Sequence, residues 1–231
     1  MRIASYNIRK AVGLDWQRNG NRIVDVLAEI NADVVVLQEA DKRLGRRSGV
    51  LPLERLQNEL DLRLVDVAIR PDSHGWHGNS IFCRTQAGEG CKTARLDLPA
   101  FEPRGAVSVL LGGSHIEIIG VHLALAASTR NKQLSTLAKR VADADHPVLI
   151  AGDFNMWRRG ADLTKIFGSD SQMIMPGNSF HAARPTAALD RFILKGSIQH
   201  VASHVHSSAL AARASDHLPI VIDVSLGGMP E

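Results

Sequence analysis

A chain of 231 residues, 45% hydrophobic and 22% charged, suits one large α/β domain or two small ones. No Ser/Gly- or Pro-rich tract marks a linker, and the longest apolar runs, such as LALAA at 123–127, are too short to cross a bilayer. Cys83 and Cys91 are the only cysteines and lack CxxC spacing; this argues against a disulfide framework and predicts a reducing, cytoplasmic setting. The net charge of +3 is modest, but Lys42, Arg43, Arg46 and Arg47 cluster, as do Arg158 and Arg159. Each cluster follows an acidic motif, as an anionic substrate would require.

In chain order, MRIASYNIRK opens as an alternating strand over 2–8, not as a signal peptide. Ile23, Val26, Leu27 and Ile30 then follow the spacing of a one-sided helix. Strands are predicted at 34–38, 63–69 and 79–83, with a helix over 53–60. Further strands are predicted at 105–111, 116–122 and 147–151, with a helix through Leu134, Leu137, Ala138 and Val141. The last strands fall at 190–194 and 219–224. Strands outnumber helices and do not alternate strictly with them, which disfavours a doubly wound parallel sheet. Two packed sheets flanked by helices fit better.

Polar residues recur where these strands end. Asn7 sits in SYNIR although Asn is depleted in strands. Glu39 follows the apolar VVVL, Asn79 follows Gly78 in GWHGNSIFCR, and His122 closes IEIIGVHL. AGDFN at 151–155 reads as an Asx-type turn, or as Asp153 and Asn155 aimed together from one face of an extended chain. Asp190 opens ALDRFIL, and Asp216 with His217 opens ASDHLPIVIDV. Adjacent side chains of a strand face opposite ways, so Asp216 and His217 should have different partners, and Asp190 is placed to orient His217. Each position alone is a turn, a strand end or a satisfied buried polar group. Together, at the converging ends of strands in a layered α/β fold, they describe a cleft whose carboxylates need a divalent cation. The combination predicts a metal-assisted hydrolase acting on phosphate.

The ordered set SYN, LQE, GN, VHL, GDFN, LD and SDHLPI resembles the endonuclease/exonuclease/phosphatase superfamily, from about residue 3 to about residue 224. Its members include pancreatic deoxyribonuclease, AP endonucleases, neutral sphingomyelinases and inositol polyphosphate phosphatases. The resemblance implies a four-layer sandwich of two mixed β-sheets packed face to face and flanked by helices. One catalytic domain would span 1–226, with 227–231 as a tail. It also implies that Glu39 ligates Mg²⁺ or Mn²⁺ with Asn7 close by. Asp153 would orient or deprotonate the attacking water, and Asn155 would hold the phosphoryl group. His122, and His217 oriented by Asp190, would contact phosphate oxygens. Asp216 is either a further metal ligand or the orienter of a histidine. Arg9 stands where some nuclease members place a second acidic ligand, which puts a two-metal mechanism in doubt. EPRGAV at 102–107 and TRNKQ at 129–133 also resemble a bacterial branch of small members, in which Arg104 would contact substrate. Asn79, Trp157 and Arg158 complete the expected substrate wall.

The expected function is cleavage of a P–O bond in a small or lipid-like phosphodiester or phosphomonoester. Nucleic acid is the alternative: with 4% aromatic residues and a short link from GDFN to Asp190, stacking surface and DNA-gripping insertions are scarce. A binding protein that kept the fold is disfavoured because every matched position carries a competent residue. A zinc protein built on His204 and His206 lacks any HExxH or CxxC support.

Overall fold

Along each central strand, successive side chains enter two different cores, and this alternation builds the layers. The computed structural model describes residues 1–43, 45–100, 104–157 and 163–226. The first half contains β1 (Arg2–Asn7), α1 (Gly20–Ile30), β2 (Val34–Gln38), α2 (Leu53–Leu60), β3 (Leu62–Leu64), β4 (Ser80–Arg84), α3 (Thr85–Gly88) and β5 (Lys92–Asp97). Then come β6 (Gly105–Leu110), β7 (Glu117–His122), α4 (Ala127–Ala142), β8 (Val148–Asp153), α5 (Thr164–Phe167) and β9 (Ser171–Ile174). The chain closes with β10 (Asp190–Lys195), β11 (Ile198–Val205), α6 (Ala211–Ala214) and β12 (Ile220–Leu226).

Two six-stranded sheets result, ordered β11-β12-β1-β2-β4-β3 and β5-β6-β7-β8-β10-β9. Both are mixed: β1 runs parallel to β2, and β7 parallel to β8. Ile3, Val34 and Val36 of the first sheet meet Ile118, Leu149 and Phe192 of the second in the central core. Their neighbours Ala4, Val35 and Leu37 face α1, while Ile119, Ile150 and Ile193 face α4. Burial on both faces is why these strands read as continuous apolar runs. Each fully buried Ile or Leu contributes roughly 1.5–3 kcal/mol of transfer free energy.

α1 begins where the Asn19 side chain accepts a hydrogen bond from the Arg22 N–H and ends at Asn31 in the left-handed conformation. Its buried face holds the four residues of the helical pattern and Val24 besides. The strand expected over 63–69 shortens to Leu62–Leu64, and Asn79 falls just before β4. β5 and β9 have no counterpart among the predicted strands. No helix among the described residues is long and apolar enough to cross a membrane. Arg158 and residues 227–231 lie outside the described residues.

Candidate active site

One edge of the sandwich gathers the polar strand ends, and strand direction explains how. Asn7 lies opposite Gln38 in the parallel pair of the first sheet, and His122 opposite Asp153 in that of the second. β10 is antiparallel to β8, so its first residue, Asp190, faces Asp153 in register. β4 and β6 run antiparallel to β2 and β7, which brings their N-terminal neighbours Asn79 and Arg104 to the same edge. Residues scattered over the chain thereby become neighbours.

The turn after β8 shows how GDFN is built. The Asn155 N–H donates to Asp153 Oδ1 at 2.8 Å, and Asn155 Nδ2 donates to the Leu123 carbonyl at 2.9 Å. Asn155 is left-handed, with φ 51°, so the two side chains do not share a face of extended strand. The Asx-type turn itself aims them, which corrects the same-face reading. Gly152 makes this turn possible: its φ is 155°, and a Cβ there would lie 1.9 Å from the Val121 carbonyl oxygen. Gly152→Ala is therefore expected to cost about 3 kcal/mol by overpacking. That corresponds to a melting point lower by about 6–12 °C, checked by calorimetry.

Asp153 is the centre of the group. Its Oδ2 accepts a hydrogen bond from Asn7 Nδ2 at 3.1 Å and lies 3.5 Å from His122 Nε2 and 3.8 Å from His217 Nε2. Burial and the neighbouring Asp190 charge push its carboxyl above the usual range, against the pull of both histidines. The two imidazoles diverge. Burial takes His122 down to about 4, helped by Arg104, although Asp153 opposes it. Burial also opposes charge on His217, but the Asp190 charge and hydrogen bond, with Asp153 and Asp216 beyond, carry it up to about 9. At neutral pH one histidine is neutral and the other is an imidazolium, the arrangement that divides acid and base roles.

Asp190 Oδ2 accepts from His217 Nδ1 at 2.8 Å and also from the Ser179 hydroxyl. Asp216 instead meets Arg9 Nε at 3.5 Å, so Asp216 and His217 have different partners and Asp190 is the orienter of the histidine. Arg191, which follows Asp190, is buried and donates to the Met156 carbonyl at 2.8 Å, pinning the loop after GDFN. Phe180 packs on the His217 ring at 4.9 Å between centroids, and the exposed Trp157 meets Phe180 edge-on at 5.6 Å. Ser179 and Phe180 carry no sequence signal; only the tertiary fold brings their hairpin against the dyad.

Glu39, just past β2, pairs with Lys10 and lines a cavity with His122, Asn79 and Arg104. Arg104 donates to the His122 and Leu123 carbonyls at 3.3 and 3.1 Å, not to a surface carboxylate. Asn79 Nδ2 donates to the Gly105 carbonyl at 2.8 Å, while its buried Oδ1 has no protein partner. Arg9, Lys10 and Ala11 all have positive φ, between 46° and 58°. Left-handed backbone costs roughly 1–2 kcal/mol per residue, and such strain collects at functional sites. The strained turn aims Arg9 at Asp216 and Lys10 at Glu39, so a protein cation lies beside each of these carboxylates. The oxygen donors of Glu39 and Asn79 on one cavity wall still fit a hard divalent cation. Asp153, Asp190 and His217 also bring ligand atoms within 4.8 Å of one another, but the Asp190–His217 hydrogen bond accounts for that grouping. His206 Nε2 bonds Glu29 at 2.8 Å, and neither it nor His204 joins a metal-ligating cluster among the described residues.

Comparison with known proteins agrees with this geometry. The chain is 30% identical over 234 residues to the uncharacterized protein YbhP of Escherichia coli (strain K12), covering 87% of each chain. The structure of D. rerio TDP2 complexed with single strand DNA product is similar with a TM-score of 0.73 at 17% identity, over 97% of this chain and 98% of that one. The mannosyl-6-phosphatase Bt3783 of Bacteroides thetaiotaomicron VPI-5482 is similar with a TM-score of 0.70 at 18% identity, over 98% of this chain and 100% of that one. The model of the Endonuclease/Exonuclease/phosphatase family matches residues 4–217. With its two mixed six-stranded sheets, its flanking helices and that match across nearly its full length, the chain belongs to the endonuclease/exonuclease/phosphatase family.

Proposed function

We propose that this chain is a Mg²⁺- or Mn²⁺-dependent phosphoesterase that hydrolyses a P–O bond of a small or lipid-like phosphoester. The observation that carries the reading is the placement of the buried Asp153 carboxylate 3.5 Å from His122 Nε2 and 3.8 Å from His217 Nε2, with His217 held in turn by Asp190. Water attacking phosphorus gives its proton to Asp153, whose raised affinity for protons suits a general base. His217, held by Asp190, donates a proton to the departing oxygen, while Asn155 and His122 hold the phosphoryl oxygens. Release of the Asp153 proton to solvent and reprotonation of His217 from solvent then restore the starting state. Glu39 would hold the metal with Asn7 close by and Asp216 as a further ligand, and the metal would supply Lewis-acid polarisation of the phosphoryl group. Asn79 lines the cavity beside Glu39, Trp157 would add an aromatic wall through its contact with Phe180, and Arg104 would neutralise substrate charge.

A second reading, cleavage of DNA, is supported by the fold shared with a protein solved with a single strand DNA product. The fold likeness to a mannosyl-6-phosphatase supports the first reading equally, so substrate chemistry must decide. The test is a panel of bis-p-nitrophenyl phosphate, p-nitrophenyl phosphate, phospholipids and abasic duplex DNA, each with EDTA, Mg²⁺ or Mn²⁺. Turnover of a small ester or phospholipid that EDTA abolishes and Mg²⁺ or Mn²⁺ restores is the expected result. Strong abasic-site incision with no small-ester turnover would favour the nuclease. Undiminished turnover in EDTA would sink the metal-dependent mechanism.

A further inference from the structure

TRNKQ, at 129–133, lies in the first turns of α4 and takes no part in the reaction described above. Side chains of a helix lean towards its N-terminus, and residues at i and i+3 share a face. Arg130 and Gln133 therefore reach back over residues 123–126, the loop that carries the chain from His122 into the helix. Ala126, at the N-cap, has no side chain that could fix this entry. Gln133 is fully buried, and its Oε1 accepts the Ala124 N–H at 2.8 Å. Arg130 Nη1 donates to the Ala124 and Leu125 carbonyls at 3.1 and 2.8 Å. The two side chains thus hold both polar groups of the buried Ala124 backbone.

The inner side of the same loop faces the reaction centre. The Leu123 N–H donates to the Asp153 carbonyl at 2.9 Å. The Leu123 carbonyl accepts from Asn155 Nδ2 at 2.9 Å and from Arg104 Nη1 at 3.1 Å. A carbonyl can only accept, so Leu123 decides which end of the Asn155 amide turns towards it. One Nδ2 hydrogen is taken there, and the other is left to donate elsewhere.

We propose that Arg130 and Gln133 are positioning residues: by clamping Ala124 they hold the neighbouring Leu123 carbonyl where it turns the second Nδ2 hydrogen of Asn155 towards a phosphoryl oxygen. The assignment rests on the phosphoesterase reading, in which Asn155 holds the phosphoryl group. Arg130 Nε and Gln133 Nε2 are buried and have no partner among the described residues. Burying a donor without a partner is unfavourable, so both side chains hold the loop at some cost to stability.

The test uses Gln133→Leu, which removes the acceptor at similar size, and Gln133→Glu, which keeps an acceptor and removes the unpaired donor. Turnover is read on bis-p-nitrophenyl phosphate, or on the ester of the panel above that is hydrolysed fastest. Gln133→Leu should lower kcat by about 10–100-fold, as small misplacements near a reacting group do, and Gln133→Glu should recover most of it. Placed in Asn155→Ala, Gln133→Leu should change kcat by less than about twofold, because its effect runs through the residue already removed. Its drop in melting point should be the same in both backgrounds, so lost stability alone does not reproduce the pattern. Equal kcat losses in the two backgrounds, or wild-type kcat in Gln133→Leu, would overturn the positioning role. If Gln133→Leu does not fold, Arg130→Gln, at a half-buried position, takes its place, with Arg130→Lys as the conservative partner. The Asn155 side-chain amide resonance, identified by its absence in Asn155→Ala, gives a readout without turnover. It should shift in Gln133→Leu and return in Gln133→Glu. That behaviour in a chain that hydrolyses no ester would leave the positioning role standing and sink the phosphoesterase reading. An unmoved resonance would overturn the positioning role whatever the turnover.

Discussion

Asp153→Asn should lower kcat/KM by about 10³-fold while leaving the fold intact, since losing a positioned general base costs on the order of 10²–10⁴. Asn is nearly isosteric, and its carbonyl oxygen can still accept the Asn155 N–H that now reaches Asp153 Oδ1 at 2.8 Å. What it cannot do is take a proton from water, and its amide would face the Asn7 amide donor that now bonds Oδ2. The bond lost to Asn7 costs about 1 kcal/mol, which the removal of a buried charge offsets. In the wild-type chain, burial and Asp190 raise the Asp153 carboxyl above its ordinary value. The native state thus binds its proton more tightly than the unfolded state, and stability declines as pH rises from the unfolded pKa through the native one. Asn removes that decline, so urea unfolding in EDTA should show the variant equal to or more stable than wild type at neutral pH. Activity above a tenth of wild type on a confirmed substrate would sink the assignment of Asp153 as base.

His217→Ala and Asp190→Asn form the second pair. Each should reduce kcat by about 10²–10³-fold, the range of a single acid–base participant. The double variant should be little worse than His217→Ala, because Asp190 acts through the histidine and the two losses overlap. Their pH profiles should differ from wild type in one direction. Burial works against a charged His217, yet Asp190 and the acids behind it raise the group to about 9. Activity that needs the imidazolium is present below that value and lost as pH rises through it. In Asp190→Asn the basic limb should move down towards the ordinary histidine range near ~6.5. Stability should follow the opposite order from activity. His217→Ala strands the buried Asp190 carboxylate beside Asp153, a loss of roughly 3–5 kcal/mol, and adding Asp190→Asn should recover much of it. Additive losses of activity in the double variant would show that the two residues act separately.

How much of this was legible in the sequence depended on where each strand sits in its sheet. β1, β2, β4, β6, β7, β8, β10 and β12 are interior, and their apolar runs marked them. β3, β5, β9 and β11 are the four sheet edges. β5 alternates between exposed and half-buried residues, so it offers no apolar run to read. β11 is exposed along most of its length and likewise offers no apolar run to read. Edge strands gain their place from one neighbour's backbone hydrogen bonds, which side-chain patterns do not encode. The same reasoning covers the strand expected over 63–69: the edge strand is Leu62–Leu64, and beyond it the Val65 N–H still donates to the Ile81 carbonyl of β4 at 2.9 Å.

The sequence by itself determined the family, the two-sheet architecture and the residues at the strand ends, because motif order and two-sided apolar runs are local properties. Only the tertiary structure decided which of those residues act on one another. Strand direction and register put Asp190 opposite Asp153, 37 positions away in the chain, and His217 within 2.8 Å of Asp190. The pairing of Lys10 with Glu39 and Arg9 with Asp216 depends on a strained left-handed turn that no periodicity announces. The opposite shifts of His122 and His217 were likewise hidden. Two histidines of one residue type acquire opposite charge states only through the burial and the neighbours that the fold assigns to each.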